Sequence, residues 1–369
     1  MKELDVKLAR ARSLLRKKSL KGILLSKQGN FAWATCGGDS HVVMGSDTGV
    51  ASVIITEKKV YVISDNIEKG RIYDEELSLN AEVKKTFKPA SYLWHKEGER
   101  LKLIKNICPL NKLGTDTALP GTKLITADIA SLRYSLTPEE VRRYEWLGRE
   151  SGKSMGSLCR SIKIGQTEDE IAADISEDVL SKGIVPLVVL VAADNRILKY
   201  RHPIPTGNKV KKYVMVVLCA RKAGLIVSLT RLVHFGRLPK ELSEKHAAVA
   251  KIDTCFIANT RPGMKVSEIF RQAVKCYKGA GFADEWNLHH QGGAAGYDAR
   301  DYKGTASCSE VVQVNQGFAW NPSITGTKSE DTIIASPKGP KIISSTPGWP
   351  MLKTQCCEME MERPDIMIK

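Results

Sequence analysis

The stretch Gly224-Leu225-Ile226-Val227-Ser228-Leu229-Thr230-Arg231 reads as a buried strand, apolar except for Ser228 until it closes on Thr230-Arg231. Three further clusters accompany it: Arg201-His202-Pro203 with Pro205-Thr206, His289-His290-Gln291-Gly292-Gly293 running to Tyr297, and Asn321-Pro322 followed by Glu330-Asp331-Thr332. Around them the chain beyond Pro186 is strand-rich, with strands expected over 213–220, 224–235, 310–319 and 332–335 and helices over 240–260 and 265–279. Upstream, Thr137-Pro138-Glu139-Glu140 starts a helix: Thr137 caps, Pro138 sits in the first turn and Glu140 completes a capping box. A second start at Thr167-Glu168-Asp169-Glu170 predicts another long helix, running to Leu180 and ending near Gly183.

The amino-terminal part has a different rhythm. Leu4, Leu8, Ala11 and Leu15 mark a helix over 1–18; residues 21–25 lead to 31–35; strands follow over 49–55 and 60–64, separated by the turn Glu57-Lys58-Lys59. That is a three-layer α/β pattern, and the domain boundary is expected near residue 130, giving domains 1–130 and 131–369.

Bulk properties narrow the function classes. With 369 residues, 42% hydrophobic and 26% charged, the chain has the composition of a two-domain globule. No run reaches the roughly 18 apolar residues of a membrane span, and 184–193 reads as a buried strand. The first 18 residues lack a signal peptide's apolar middle, so a cytoplasmic location and no membrane partner are expected. Nine cysteines without a CxxC pair, Cys356 and Cys357 adjacent, fit reduced thiols. The net charge of +15 is dispersed and comes with no nucleic-acid motif, so a solvated basic surface is preferred to a nucleic-acid partner. Arg196, Lys199, Arg201, Lys209, Lys211 and Lys212 crowd around His202 in the sequence and predict a carboxylate-bearing or otherwise anionic ligand there.

The order and spacing of the four clusters, together with the amino-terminal helix and strand and Ile164-Gly165-Gln166-Thr167-Glu168, resemble the creatinase, aminopeptidase P and prolidase family. The resemblance implies a three-layer creatinase-like amino-terminal domain, a pita-bread carboxy-terminal domain, a homodimer, and two hard divalent ions held by two aspartates, a histidine and two glutamates. Such ions polarise a carbonyl and lower the pKa of a bridging water. Here the aspartate positions fall on Val217 and Ser228, and Asn321 stands at the first glutamate's place. His290 matches the ligand histidine, Glu330 matches the second glutamate, and Tyr297 replaces the proton-shuttling histidine. One histidine and one carboxylate are too few anionic ligands for two divalent ions. No resident metal is therefore expected, one divalent ion on His290 and Glu330 with Cys219 or His289 being the alternative.

Creatinase, in the same family, cleaves a C–N bond without metal. By that resemblance His202 is the general acid/base, a role suited to a neutral imidazole near pH 7. His290, Glu330 and Tyr297 join it as catalytic candidates, Glu330 holding a substrate ammonium or guanidinium or orienting His290. His289, Arg300 and Arg231 are the substrate-binding candidates, Arg300 offering a carboxylate a bidentate fork. Cys219 reads as a strand filler, and Gly292, Gly293 and Gly296 as places where the backbone approaches a ligand. The expected function is hydrolysis of a C–N bond in a small amino-acid-like or dipeptide substrate. A metal-dependent Xaa-Pro aminopeptidase or dipeptidase is the first alternative. A non-catalytic protein that binds a peptide or protein tail in the same cleft is the second.

Overall fold

The computed structural model describes residues 2–96, 98–356 and 359–369; Cys357, noted above, lies outside them. Two compact units emerge: Met1–Glu140 with Ala223–Leu225, and Val141–Lys222 with Ile226–Lys369.

In the first unit α1 (Glu3–Lys17) buries Leu4, Leu8, Ala11 and Leu15, as its spacing predicts. A six-stranded mixed sheet follows, from β1 (Gly22–Lys27), β2 (Thr48–Thr56), β3 (Val60–Asp65), β4 (Phe87–Tyr92), β5 (Leu113–Thr115) and β6 (Lys123–Leu124), in the order β4-β3-β2-β1-β5-β6. Strands β1–β2 and β2–β3 are antiparallel and the outer pairs parallel. Leu24, Ile54 and Ile63 pack with Ile104 of α3 (Glu99–Ile107) and with Leu113. Residues 28–34 fold as the helix α2 (Gln28–Ala34). The Asp116 carboxylate accepts the backbone N–H groups of Ser26 and Lys27 and the amide of Asn30, bending the chain out of the sheet before Phe31.

The first unit reaches ten residues past the expected boundary, for a local reason. Helix α4 (Pro138–Ser161) opens with the expected capping box, in which Thr137 N–H donates to Glu140 at 2.7 Å and Glu140 N–H to Thr137 Oγ1 at 3.3 Å. The other oxygen of Glu140 meets the ammonium of Lys7 at 2.8 Å, and Lys7 is also paired with Glu3. All three side chains are buried, so the cap is anchored to α1.

In the second unit α5 (Glu168–Leu180) starts at its own capping box, Thr167 with Glu170. Then come β7 (Val185–Ala193), β8 (Tyr213–Lys222), β9 (Leu225–His234), α6 (Lys240–Asn259) and α7 (Val266–Gly279). They are followed by β10 (Gly292–Ala294), β11 (Tyr302–Lys303), β12 (Gln316–Trp320), β13 (Ser323–Ile324), β14 (Thr327–Lys328), β15 (Asp331–Ser336), β16 (Gly339–Ile342), β17 (Met351–Cys356), β18 (Met359–Pro364) and β19 (Met367–Ile368). They form a four-stranded sheet, β19-β9-β8-β7, a five-stranded sheet, β11-β10-β12-β15-β16, and the hairpins β13–β14 and β17–β18. Phe256, Trp320 and Phe318 stack in its core.

Two expectations are corrected here. The strand expected over 310–319 begins only at Gln316, because Asn315 sits at φ +59, a left-handed conformation that breaks a strand. Gly292 and Gly293 admit neighbouring strands rather than a ligand: a Cβ on Gly292 would collide with the Ala319 carbonyl of β12, and one on Gly293 with the Tyr302 carbonyl of β11.

Candidate functional site

The second unit gathers three histidines. His202 lies exposed beyond β7, and His289 and His290 immediately precede β10. One ring nitrogen from each falls within 4.8 Å of the others, and Nε2 of His202 stands 3.1 Å from Nε2 of His289. One ring must donate in that contact and the other accept. His290 is fixed from behind, its Nδ1 accepting the backbone N–H of Gly292 at 3.3 Å, which leaves the proton on Nε2.

All three rings are held neutral. Burial pushes His289 down to about 2, helped by Lys328 and the two neighbouring imidazoles. Burial, then Arg300 and Lys303, brings His290 to about 4. The more open His202 is lowered by partial burial and by Lys328.

Glu330 occupies the turn into β15 with its carboxylate buried and fully engaged. Lys328 Nζ meets Oε2 at 2.7 Å, Thr230 Oγ1 donates to the same oxygen at 2.7 Å, and Arg300 Nη2 meets Oε1 at 3.1 Å. Burial alone would raise this carboxyl, but the charges of Lys328 and Arg300 prevail and hold it at about 2. The ammonium and guanidinium that Glu330 was expected to hold on a substrate are thus supplied by this chain's own Lys328 and Arg300. Lys328 was missed from sequence; it closes β14, two residues before Glu330, and the chain between them carries both side chains to the same buried spot.

Arg300 also donates from Nη1 to Ser228 Oγ at 3.4 Å, and Ser228 Oγ contacts Cys219 Sγ on the adjacent strand at 3.3 Å. Val217 is buried among apolar neighbours of β7, β8 and β9. Tyr297 is buried just beyond β10. Arg231 is a correction: all five of its N–H donors are spent on Thr346 Oγ1, Asp331 and the carbonyls of Thr230, Glu330 and Ser344, so it ties β9 to β15 and has nothing left for a substrate. The basic cluster around His202 is also partly spent, with Arg196 paired to Glu168 and Arg201 to Glu285. Three site candidates keep a buried polar atom without a partner: His289 Nδ1, Arg300 Nε and Asn321 Oδ1. Buried polar atoms are nearly always satisfied, so these three are open to a ligand or an ordered water.

The sequence model of metallopeptidase family M24 matches residues 147–337. The chain belongs to that family. An uncharacterized peptidase of Staphylococcus aureus strain MW2 is 21% identical over 226 residues, 58% of this chain and 64% of that relative; the M24 chain thus spans less than two thirds of the curated relatives it matches. Among solved structures, the prolidase of Pyrococcus horikoshii OT3 superimposes with a TM-score of 0.75 at 17% identity, over 92% of this chain and 98% of the prolidase. The amino-terminal domain of the FACT complex subunit SPT16 from Cicer arietinum gives a TM-score of 0.70 at 12% identity, over 93% and 97%. These likenesses establish the pita-bread fold. No helix among the described residues is long and apolar enough to cross a membrane.

The two-ion centre that the M24 family implies does not fit the residues present. Of the five matched positions, Val217 is apolar, Ser228 and Asn321 are neutral, and the Glu330 carboxylate is already neutralised by two internal cations. A pair of divalent ions would have to displace Lys328 and Arg300 and then share one carboxylate and one imidazole.

Proposed function

We propose that this chain is a peptidase-type hydrolase cleaving a C–N bond of a small amino-acid-like or dipeptide substrate, with His202 as general acid/base and without a two-ion centre. The observation that carries the reading is the 3.1 Å contact between the Nε2 atoms of His202 and His289. With both Nε2 atoms occupied, the Nδ1 of exposed His202 is the atom left for a substrate or water. When His202 donates to His289, that Nδ1 is a base; when His289 donates, it carries a proton and is an acid. In the first arrangement His202 serves both halves of a hydrolysis from one atom, Nδ1 taking a proton from water and returning it to the leaving nitrogen while His289 stays neutral. The orphaned Arg300 Nε–H supplies a donor for a substrate carboxylate, His290 stands beside His202 with ring centroids 5.7 Å apart, and Tyr297 is the remaining catalytic candidate.

The test is turnover of Xaa-Pro dipeptides, short Xaa-Pro peptides and guanidino amino acids in excess chelator. Chelator-resistant activity is expected, falling at least about 100-fold in His202→Ala, the usual scale for a lost acid/base group. Activity appearing only with manganese, cobalt or zinc would replace this reading with a metal-dependent Xaa-Pro peptidase. A single ion on the three histidines is the form it would take, although Arg300, Lys303 and Lys328 all oppose positive charge at His290. The spent Glu330 carboxylate favours one other reading, a cleft that binds a peptide tail without cleaving it. Salt-sensitive peptide binding with no turnover would establish that one. A cytoplasmic homodimer belongs to the same proposal and is read by fractionation and light scattering.

A further inference from the structure

A second cluster lies apart from the histidines. Cys255 on α6, Cys276 on α7 and Cys356 at the end of β17 bring their sulfurs within 4.8 Å of one another, with the Cys276 and Cys255 sulfurs 2.8 Å apart. We propose that these three cysteines form a thiolate site for a single thiophilic d10 metal ion, zinc or copper(I), that fastens the β17–β18 hairpin to α6 and α7.

Three arguments support it. The sulfurs come from three separate elements and converge, whereas Cys36, Cys108, Cys159, Cys219 and Cys308 join no such group; cysteines serving only as small apolar fillers have no reason to meet in threes. The dimensions also suit an ion. Bound to each sulfur at about 2.3 Å, it holds its ligands about 3.8–4.0 Å from one another, so the Cys276 and Cys255 sulfurs, now 2.8 Å apart, open by about 1 Å to admit it. Third, the donor set is selective. Among the described residues no histidine or carboxylate joins the cluster, and all-sulfur ligation favours soft ions over the hard ones associated with peptidase centres. Asn259, one turn beyond Cys255 on α6, directs its Nδ2–H toward the Cys255 sulfur at 3.7 Å, an outer-shell contact that supports a thiolate.

The site has a structural consequence. Next to it, Thr254 Oγ1 and Thr354 Oγ1 meet at 2.5 Å, holding β17 against α6. The partner strand β18 carries Arg363, which pairs with Asp253 at 2.6 Å and Asp331 at 2.8 Å, and Asp331 directly follows Glu330. An ion on the three sulfurs therefore stiffens the hairpin that buries Arg363 behind the candidate site.

The full chain, purified under a non-thiol reductant, is titrated with cadmium while the ultraviolet thiolate-to-cadmium charge-transfer band is followed. Zinc and copper content of untreated protein is measured alongside by elemental analysis, which decides between the two ions. One cadmium per chain with a strong band is expected, the band lost in Cys276→Ser and in Cys356→Ser but kept in His202→Ala and His290→Ala. Absence of the band from the wild-type protein overturns the proposal without any variant. So does a band that survives both cysteine substitutions, or a mass two daltons low before reduction, which would show a Cys255–Cys276 disulfide instead.

Discussion

At the scale of single residues, the site turns on how Glu330 is satisfied. Its carboxylate, 2% exposed, is held by Lys328, itself 5% exposed, and by Arg300. Removing one partner of a buried pair leaves the other charge without compensation, so Lys328→Met should cost about 3–5 kcal/mol of stability in denaturant titrations. Lys328→Met combined with Glu330→Gln should recover most of that loss. A double variant as unstable as Lys328→Met alone would mean that the ammonium stabilises through packing rather than through the pair. The sign with pH follows from the depressed carboxyl: the stabilisation is full above the ordinary carboxylate range and is lost as pH falls toward about 2. Sequence marked Glu330 and Arg300 but not Lys328, because a cation two residues before an acid is common on solvated surfaces, and only the fold buries this one. Arg231 misled in the opposite sense, since nothing local in Thr230-Arg231 announces that Asp331, Ser344 and Thr346 consume the guanidinium.

At the scale of elements, local chemistry was the best guide. Both long helices begin where Thr137 and Thr167 predict, because a capping box satisfies its orphan N–H groups within four residues and needs nothing distant. Thr167→Ala should accordingly cost about 1 kcal/mol, and Thr167→Ser, which keeps the acceptor, should restore stability in the same titration; equal losses in both would assign the effect to the methyl group. Elements fixed by remote contacts were harder to see. Residues 28–34 form a helix because Asp116, far along the chain, captures the backbone ahead of them. The hairpin β17–β18 was not read from the sequence although Met359-Glu360-Met361-Glu362 alternates, because what fixes it is remote: the Thr254–Thr354 contact and the ion pairs of Arg363.

At the scale of the whole molecule, the histidines join stability to the proposed chemistry. Of the seven histidines, His202, His246, His289 and His290 are each lowered from the ordinary value, burial being the first cause in every case. His246 is wedged between Thr327 Oγ1 and the Pro364 carbonyl, with Asp365 and Arg363 facing it. A folded state that keeps these rings neutral binds fewer protons than the unfolded chain once pH drops below about 6.5, so stability must fall with acidification across that range. For His289, held neutral down to about 2, the loss between pH 7 and pH 5 amounts to about 1–2 kcal/mol. Burial also raises Glu76 and Asp253, so it is the difference between wild type and a His289 variant in thermal unfolding between pH 7 and pH 5 that reads the histidine. The melting temperature should decline steadily, and His289→Gln, which cannot protonate, should flatten the decline. The lowered pKa of His202 acts on rate instead: kcat/KM should rise with pH through an inflection below 6.5 and then level, in wild type and His289→Gln alike if the variant keeps the hydrogen bond to His202. A rate profile that instead follows the melting temperature variant by variant would show that acid unfolds the site rather than protonating the base, and His202 would lose its assigned role.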